Sequence, residues 1–469
     1  CEIDLARAPL KYAGLQPWEI LLSEAQERMS LAVQPESLEA FCKLAERREV
    51  EATVLGRFTD TGKFHVKYNG NTVGCLDEDF LHRGLPQMTL RAVWDPPRHD
   101  EPTLPAQPDI EHVLTDMLAR INICSGEYKA RQYDHEVKGL SVIKPYVGAE
   151  TSVPADATVS MVEQNSLEGL ILAVGIAPRY SDIDTYHMMA SVIDMAIRRT
   201  VAVGGDLERI AGLDNFCWPD PVASPENPRG EYKLAQLVRA NQALFDITTA
   251  YGVPCISGKD SMKNDSTRGG RRISVPPTVL FSTVARMNNI RRAVTLDVKR
   301  PGDLVYVIGT TRRELGGSEY FNMLGAVGNS VPRVDPERAL DIYRRIAAVS
   351  NAEWWHSLHT PALGGLGVAL AKVAIAGSRG LDIDLDLVPA DPDLTPLELL
   401  FSESNSRFIA TVDPERRDAL EKALSGVPFA CVGHVVLNNR IQMRWHGETL
   451  AEIPLRKAAN AYTATLDQI

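Results

Sequence analysis

Carboxylates set close to glycines are the part of this sequence best suited to chemistry. Gly258 and Asp260 stand together in Ser257-Gly258-Lys259-Asp260-Ser261. A position without a side chain lets a phosphate approach the backbone, and a carboxylate supplies a hard oxygen ligand, which together are what a magnesium-bound nucleotide needs. Further carboxylates fall near the ends of expected elements: Asp134 beside His135 in Arg131-Gln132-Tyr133-Asp134-His135-Glu136, Asp156 in Pro154-Ala155-Asp156-Ala157-Thr158, Asp194 on a helix, and Asp214 in Leu213-Asp214-Asn215-Phe216. Taken singly, each reads as a cap or turn residue. Taken jointly they suit a nucleotide and its metal, without naming a reaction.

Other site motifs fail on spacing. Gly252 to Lys259 looks like a phosphate-binding loop, but five residues separate its glycines and Asp260 stands where Ser or Thr should follow the lysine. No GxGxxG and no HExxH occurs. His356-Ser357-Leu358-His359 is too closely spaced for a helical zinc pair and reads as a solvated loop. Asp382, Asp384 and Asp386 alternate with Ile383 and Leu385, as on a half-exposed strand.

The elements that must position these groups follow from periodicity. Ile110, Val113, Leu114, Met117, Leu118 and Ile121 recur at helical spacing; residues 188–200 and the run through Leu234, Leu237, Val238, Leu244 and Phe245 are further helices, the last stopped by Gly252. Leu170 to Ile176 reads as a buried strand and Val279 to Val284 as another. An internal repeat organises the rest. Leu21-Leu22-Ser23-Glu24 and Arg28-Met29 recur as Leu400-Phe401-Ser402-Glu403 and Arg407-Phe408, 379 residues on, and Pro35-Glu36 recurs as Pro414-Glu415. The second copy has a strand, a glycine-rich turn and the helix 365–377 before Leu400, whereas the first has twenty residues before Leu21. The first copy is therefore expected to be cut, a complete protein continuing upstream of Cys1. Four parts are expected: 1–88, the tail of a first repeat domain; 89–108, a Pro-rich linker; 109–300, an α/β domain; and 301–469, the second repeat domain.

Composition bounds the partners. Of 469 residues, 44% are hydrophobic and 24% charged, as in a globular protein with real cores. A net charge of −11 leaves no general attraction for nucleic acid, and no apolar run is long enough for a membrane span. Seven scattered cysteines without a framework spacing fit free thiols in a reducing cytoplasm.

Six ordered motifs then resemble one family: Leu22 to Met29, Tyr133 to Val137, Leu213 to Phe216, Ser257 to Ser261, Leu315-Gly316-Gly317-Ser318-Glu319-Tyr320 and Leu400 to Ser404 are similar to phosphoribosylformylglycinamidine synthase. The resemblance implies an α+β and α/β architecture with a pseudo-twofold internal repeat: an AIR-synthase-like A domain (a ferredoxin-like sheet with helices) and AIR-synthase C-terminal-like B domains. It implies ATP and Mg²⁺ as cofactors and ATP-dependent amidation of formylglycinamide ribonucleotide in purine biosynthesis. Ammonia would come from a separate glutaminase subunit, with a small bridging subunit as a further partner. The family's catalytic histidine belongs to a first A domain that is not in this chain, so no catalytic residue is assigned here. Family substrate contacts fall on Glu24, Ala25, Gln26 and Ser261, and ATP contacts on Asp214 and Gly258. Metal positions fall on Asp260, Asp156 and Asp194, with Lys259 where small-type members have a metal-binding Asn. Arg198 stands where the family has an asparagine, beside what it uses as a structural nucleotide site. The alternatives are a non-catalytic nucleotide-binding or assembly module, or another ATP-dependent enzyme of the AIR-synthase superfamily.

Overall fold

The computed structural model describes residues 1–133 and 135–467, so the candidate carboxylate Asp134 lies outside the described residues. The chain divides into two compact units, Cys1–Thr89 and Leu90–Ile469, each treated by itself below. In the first, β1 (Glu2–Asp4) lies between β2 (Gly56–Arg57), antiparallel to it, and β3 (Lys63–Tyr68), parallel to it; β4 (Asn71–Asp77) closes a hairpin with β3. Helices α1 (Pro17–Leu22), α2 (Leu38–Arg47) and α3 (Glu78–Arg83) complete it. Its core is small: Leu5, Ile20 and Val66.

The second unit begins with an extended segment that is packed down. Trp94 stacks on Tyr232 with ring centroids 5.6 Å apart, and the Arg239 guanidinium lies 4.5 Å from the Trp94 ring centre. The Pro-rich stretch is thus anchored to its own unit. Helices α4 (Ile110–Leu118) and α5 (Glu127–Ala130) follow, α4 ending before Ile121, which is exposed. Then come β5 (Ser141–Ile143), the paired β6 (Tyr146–Val147) and β7 (Val153–Pro154), β8 (Thr158–Met161), β9 (Gly169–Gly175), α6 (Thr185–Ala202), β10 (Ile210–Cys217), α7 (Gly230–Tyr251), β11 (Cys255–Ser261), the hairpin β12 (Asp265–Arg268) and β13 (Arg271–Ser274), and β14 (Thr278–Met287). Six of these form one sheet, in the order β11-β10-β14-β9-β8-β5.

The strand expected to be buried is only half so. Along β9, Gly169, Ile171, Ala173 and Gly175 face the interior, while Leu170, Leu172 and Val174 are 43–53% exposed. The reason is the period of two: α6 covers one face of the strand and leaves the alternate side chains outside. Helix and strand touch so closely that a Cβ on Gly175 would lie 2.0 Å from the Val192 carbonyl oxygen. Helix α7 stops, as its sequence predicts, at Gly252 with φ of 67°.

A seven-stranded sheet follows, ordered β16-β18-β15-β19-β17-β20-β21. Its members are β15 (Leu304–Ile308), β16 (Trp355–His359), β17 (Gly380–Asp384), β18 (Phe408–Val412), β19 (Phe429–Val436), β20 (Arg440–Trp445) and β21 (Glu448–Pro454). With them go α8 (Glu319–Met323), α9 (Pro336–Asn351), α10 (Gly365–Gly377), α11 (Pro396–Phe401), α12 (Arg417–Ala423) and α13 (Leu455–Asp467). The segment expected as a solvated loop, His356 to His359, is β16 instead: its Ser357, Leu358 and His359 are buried and pair with β18. Among the described residues no helix is long and apolar enough to cross a membrane, and all seven cysteines are free.

The repeat is visible atom by atom. Pro17 and Pro396 each open a six-residue helix whose third residue, Glu19 or Glu398, accepts the amide of the preceding Gln16 (2.7 Å) or Thr395 (2.8 Å). Four residues after Ser23 and Ser402, Glu27 and Ser406 both take left-handed backbone, φ 61° and 59°. Arg28 donates to Ser23 O at 2.9 Å and Arg407 to Ser402 O at 2.7 Å. The hairpins β3–β4 and β20–β21 turn on Asn69-Gly70 and His446-Gly447, with positive φ at both residues of each. Burial separates the copies: Leu22 and Met29 are 69% and 84% exposed, while Phe401 and Phe408 are fully buried.

Candidate functional site

The parallel pair β10 and β11 brings the main candidates together. Its register sets Asp214 opposite Gly258, Asn215 opposite Lys259, Phe216 opposite Asp260 and Cys217 opposite Ser261. With side chains alternating, Asp214, Gly258 and Asp260 share one face of the sheet and Lys259 and Ser261 the other. A Cβ on Gly258 would sit 3.1 Å from Asp214 Oδ2, so the missing side chain keeps that carboxylate open. Burial pushes the Asp214 carboxyl up; a backbone hydrogen bond opposes this and the charge of Asp260 adds to it. Two carboxylates on one face of neighbouring strands favour a cation between or beside them. No group of three or more His, Cys, Asp or Glu is gathered for a metal among the described residues, so these two carboxylates suit an ion completed by phosphate and water oxygens. A groove of about 750 Å³ opens at the start of β11, walled by Phe245 and Thr248 of α7 and by Cys255.

Lys259 does not fit the metal assignment. It lies across the sheet from Asp260, and its ammonium donates to Ser261 Oγ. An ammonium has no lone pair for a metal and repels one. Beside the candidate substrate serine, it makes a positive spot suited to an anionic group.

A charged cluster holds the loop beyond Ser261. Trp218 N and Asn264 Nδ2 both donate to Ser261 O, at 2.8 Å. Arg272 bridges Asp220 (3.1 Å) and Asp265 (3.2 Å), and Ser274 also donates to Asp265. Burial opposes ionisation of Asp265, but hydrogen bonds from Arg272 and Ser274 outweigh it and hold the carboxyl down at about 2. A depressed carboxylate contributes stability that is present above the ordinary 3.8 and is lost as pH falls through 2. Amide hydrogen exchange in β12 and β13 should therefore speed up between about pH 4 and pH 2 relative to the β9–β14 core. An Asp265→Asn variant should show the faster exchange already at neutral pH; unchanged protection in that variant would refute the role given to the charge.

Asp156 and Asp194, assigned to metal by resemblance, do not fit one here. Asp156 Oδ2 takes the Nδ1 hydrogen of His359 at 2.8 Å, and its Oδ1 accepts from Thr360 N at 3.0 Å and Thr360 Oγ1 at 2.5 Å. Asp194 is fully buried and accepts from Arg198, Tyr251, Tyr343 and both the amide and the hydroxyl of Ser406. The lone pairs of Asp194 are spent on protein donors, and three of the roughly four acceptor sites of Asp156 are taken. Glu24, Ala25 and Gln26 belong to the other unit, in the turn after α1, where Glu24 and Gln26 are exposed and Ala25 is half-buried.

Sequence reasoning missed Glu403 as a site residue. It is 1% exposed, and burial lifts its carboxyl to about 7 against hydrogen bonds from Gly364 N (2.7 Å), Tyr180 Oη (2.6 Å) and Glu319 N (2.9 Å). The signal was there, since Glu403 is the repeat counterpart of Glu24.

Residues 1–69 and 300–446 match the family described as AIR synthase related protein, C-terminal domain. The PurL subunit of phosphoribosylformylglycinamidine synthase from Thermococcus sibiricus is 32% identical over 431 residues, covering 92% of this chain and 56% of that protein. Among solved structures, T. maritima PurL complexed with FGAR superposes with a TM-score of 0.58 at 17% identity, over 76% of this chain and 54% of that one. T. maritima PurL complexed with ATP gives 0.52, also at 17% identity, over 75% and 55%. These structural likenesses are of fold. The chain spans little more than half the length of each of these three proteins.

Proposed function

Because residues 1–69 and 300–446 match the AIR-synthase-related C-terminal family and the chain resembles a PurL subunit over 92% of its length, we propose that it is the synthase part of an enzyme converting formylglycinamide ribonucleotide to its amidine with ATP and ammonia. An amide oxygen is a poor leaving group. Transfer of the γ-phosphoryl group from ATP to that oxygen gives an iminophosphate and ADP; ammonia then adds at the carbon, phosphate leaves, and the amidine results. Magnesium, when bound, would screen the phosphate charge as it moves.

The observation that carries this reading is the shared face of Asp214, Gly258 and Asp260. The two carboxylates would hold the metal-bound phosphates, and Gly258 would let them reach the backbone. Because β11 is the edge strand, a phosphate passing Gly258 can reach the opposite face, where Lys259 and Ser261 would hold the substrate. Glu24, Ala25 and Gln26 would supply further substrate contacts, with alanine at the middle position forgoing a hydroxyl. In this reading 1–88 is the end of a first B domain, 109–300 a second A domain and 301–469 its B domain. The catalytic histidine would come from an upstream first A domain, and ammonia from a glutaminase subunit in the cytoplasm.

The test is phosphate release from ATP and ammonium chloride by the chain joined to a complementing upstream segment. Release should require formylglycinamide ribonucleotide and match the amidine formed. ATP binding without any such turnover would favour the assembly-module alternative, and no binding of either ligand would remove the proposal.

A further inference from the structure

The second copy of the repeat closes on itself electrostatically. Asp194 and Arg198 stand one turn apart on α6, both without solvent exposure. A carboxylate offers about four acceptor sites, and five donor groups already converge on Asp194: Arg198, Tyr251, Tyr343 and the two of Ser406. Arg198 also donates from Nη1 to Asn405 Oδ1 at 2.9 Å and from Nη2 to Pro361 O at 3.0 Å, while its buried Nε meets no acceptor. Next to Pro361, Thr360 and His359 take both oxygens of Asp156.

The acceptor for the helix-start amides is also internal. The amide of Gly364, at the start of the thirteen-residue α10, and that of Glu319, at the start of α8, both donate to Glu403 Oε1. An anion is what a helix start attracts, and here the chain's own carboxylate fills the place.

We propose that this cluster is a self-contained core, in which Arg198 serves as the resident cation of Asp194 and the Glu403 carboxyl as the resident acceptor at the start of α10, so that the fold needs neither metal nor nucleotide there. A buried charge survives only with a compensating partner, and the guanidinium, always charged, provides one that no chelator can remove. The inference does not depend on the chemistry proposed for the β10–β11 edge, and its test reads stability rather than turnover.

A chain carrying Asp214→Ala and Asp260→Ala, which lacks the carboxylates proposed to hold metal at the β10–β11 edge, should hold no stoichiometric divalent metal, and its melting temperature should be the same in EDTA, in magnesium chloride and in magnesium ADP. Arg198→Met should lower that temperature by about 5–10 °C, and the double variant Asp194→Asn with Arg198→Met should recover at least half of the loss, because both charges are then gone. Co-purified metal, a drop in EDTA, or a double variant no better than the single one would overturn the proposal. Should the Arg198 variant fail to fold, recovery of folded protein in the Asp194/Arg198 double variant supports it, failure of both overturns it, and the metal content and EDTA response of the chain without the β10–β11 carboxylates remain decisive.

Discussion

Arg407→Met should cost the larger unit about 3 kcal/mol, while the same change at its repeat counterpart, Arg28→Met, should leave the midpoint of unfolding where it was. The two arginines make the same local bond, to Ser402 O and Ser23 O. Arg407, however, is fully buried, and it also satisfies Ser404 O at 2.9 Å and Thr311 Oγ1 at 2.8 Å. Burial, with the charge of Arg198 adding to it, lowers its guanidinium to about 10, still charged at neutral pH. Removing it strands several acceptors away from water, where each unpaired group costs about 1–3 kcal/mol. Around Arg28 the same acceptor turns to solvent. Urea unfolding followed by circular dichroism in both variants checks this; equal shifts would mean that the turn matters for its local bond and that burial adds nothing.

The second large effect concerns activity. Under the proposed function, with the chain joined to a complementing upstream segment, Asp214→Ala should lower kcat/KM by about 100-fold, or ~2.7 kcal/mol in the barrier, and Ser261→Ala by about 10-fold, the worth of one neutral hydrogen bond. Neither should lower the melting temperature. Asp214 lies beside another carboxylate, so its removal relieves repulsion, and Ser261 sits on an edge strand. Asp384→Ala is the control: its carboxylate accepts the Asp386 amide at 3.1 Å, and activity should stay near wild type. Wild-type turnover in both site variants would end the assignment of ATP and substrate to β10 and β11.

What could be read ahead of the structure was whatever is encoded locally. Gly252 announces a helix end, and the 379-residue recurrence of Ser-Glu and Arg announces two copies of one turn. Such signals need only a dihedral preference or a period of 2 or 3.6, and a few neighbouring residues carry them. The sharing of a face by Asp214 and Gly258 was out of reach, because it depends on the register between two strands more than forty residues apart.

Tertiary structure alone decided which aspartates are available. Asp156 and Asp260 look alike in sequence, but one meets His359, 203 residues away, and the other stays open at a sheet edge. Likewise Ser23-Glu24 and Ser402-Glu403 share their local backbone, yet Glu24 is exposed and Glu403 is enclosed by Tyr180 and two helix starts. A side chain's type sets what bonds it can make, whereas its protonation and free lone pairs depend on partners delivered by distant packing, and the sequence holds no short-range record of those.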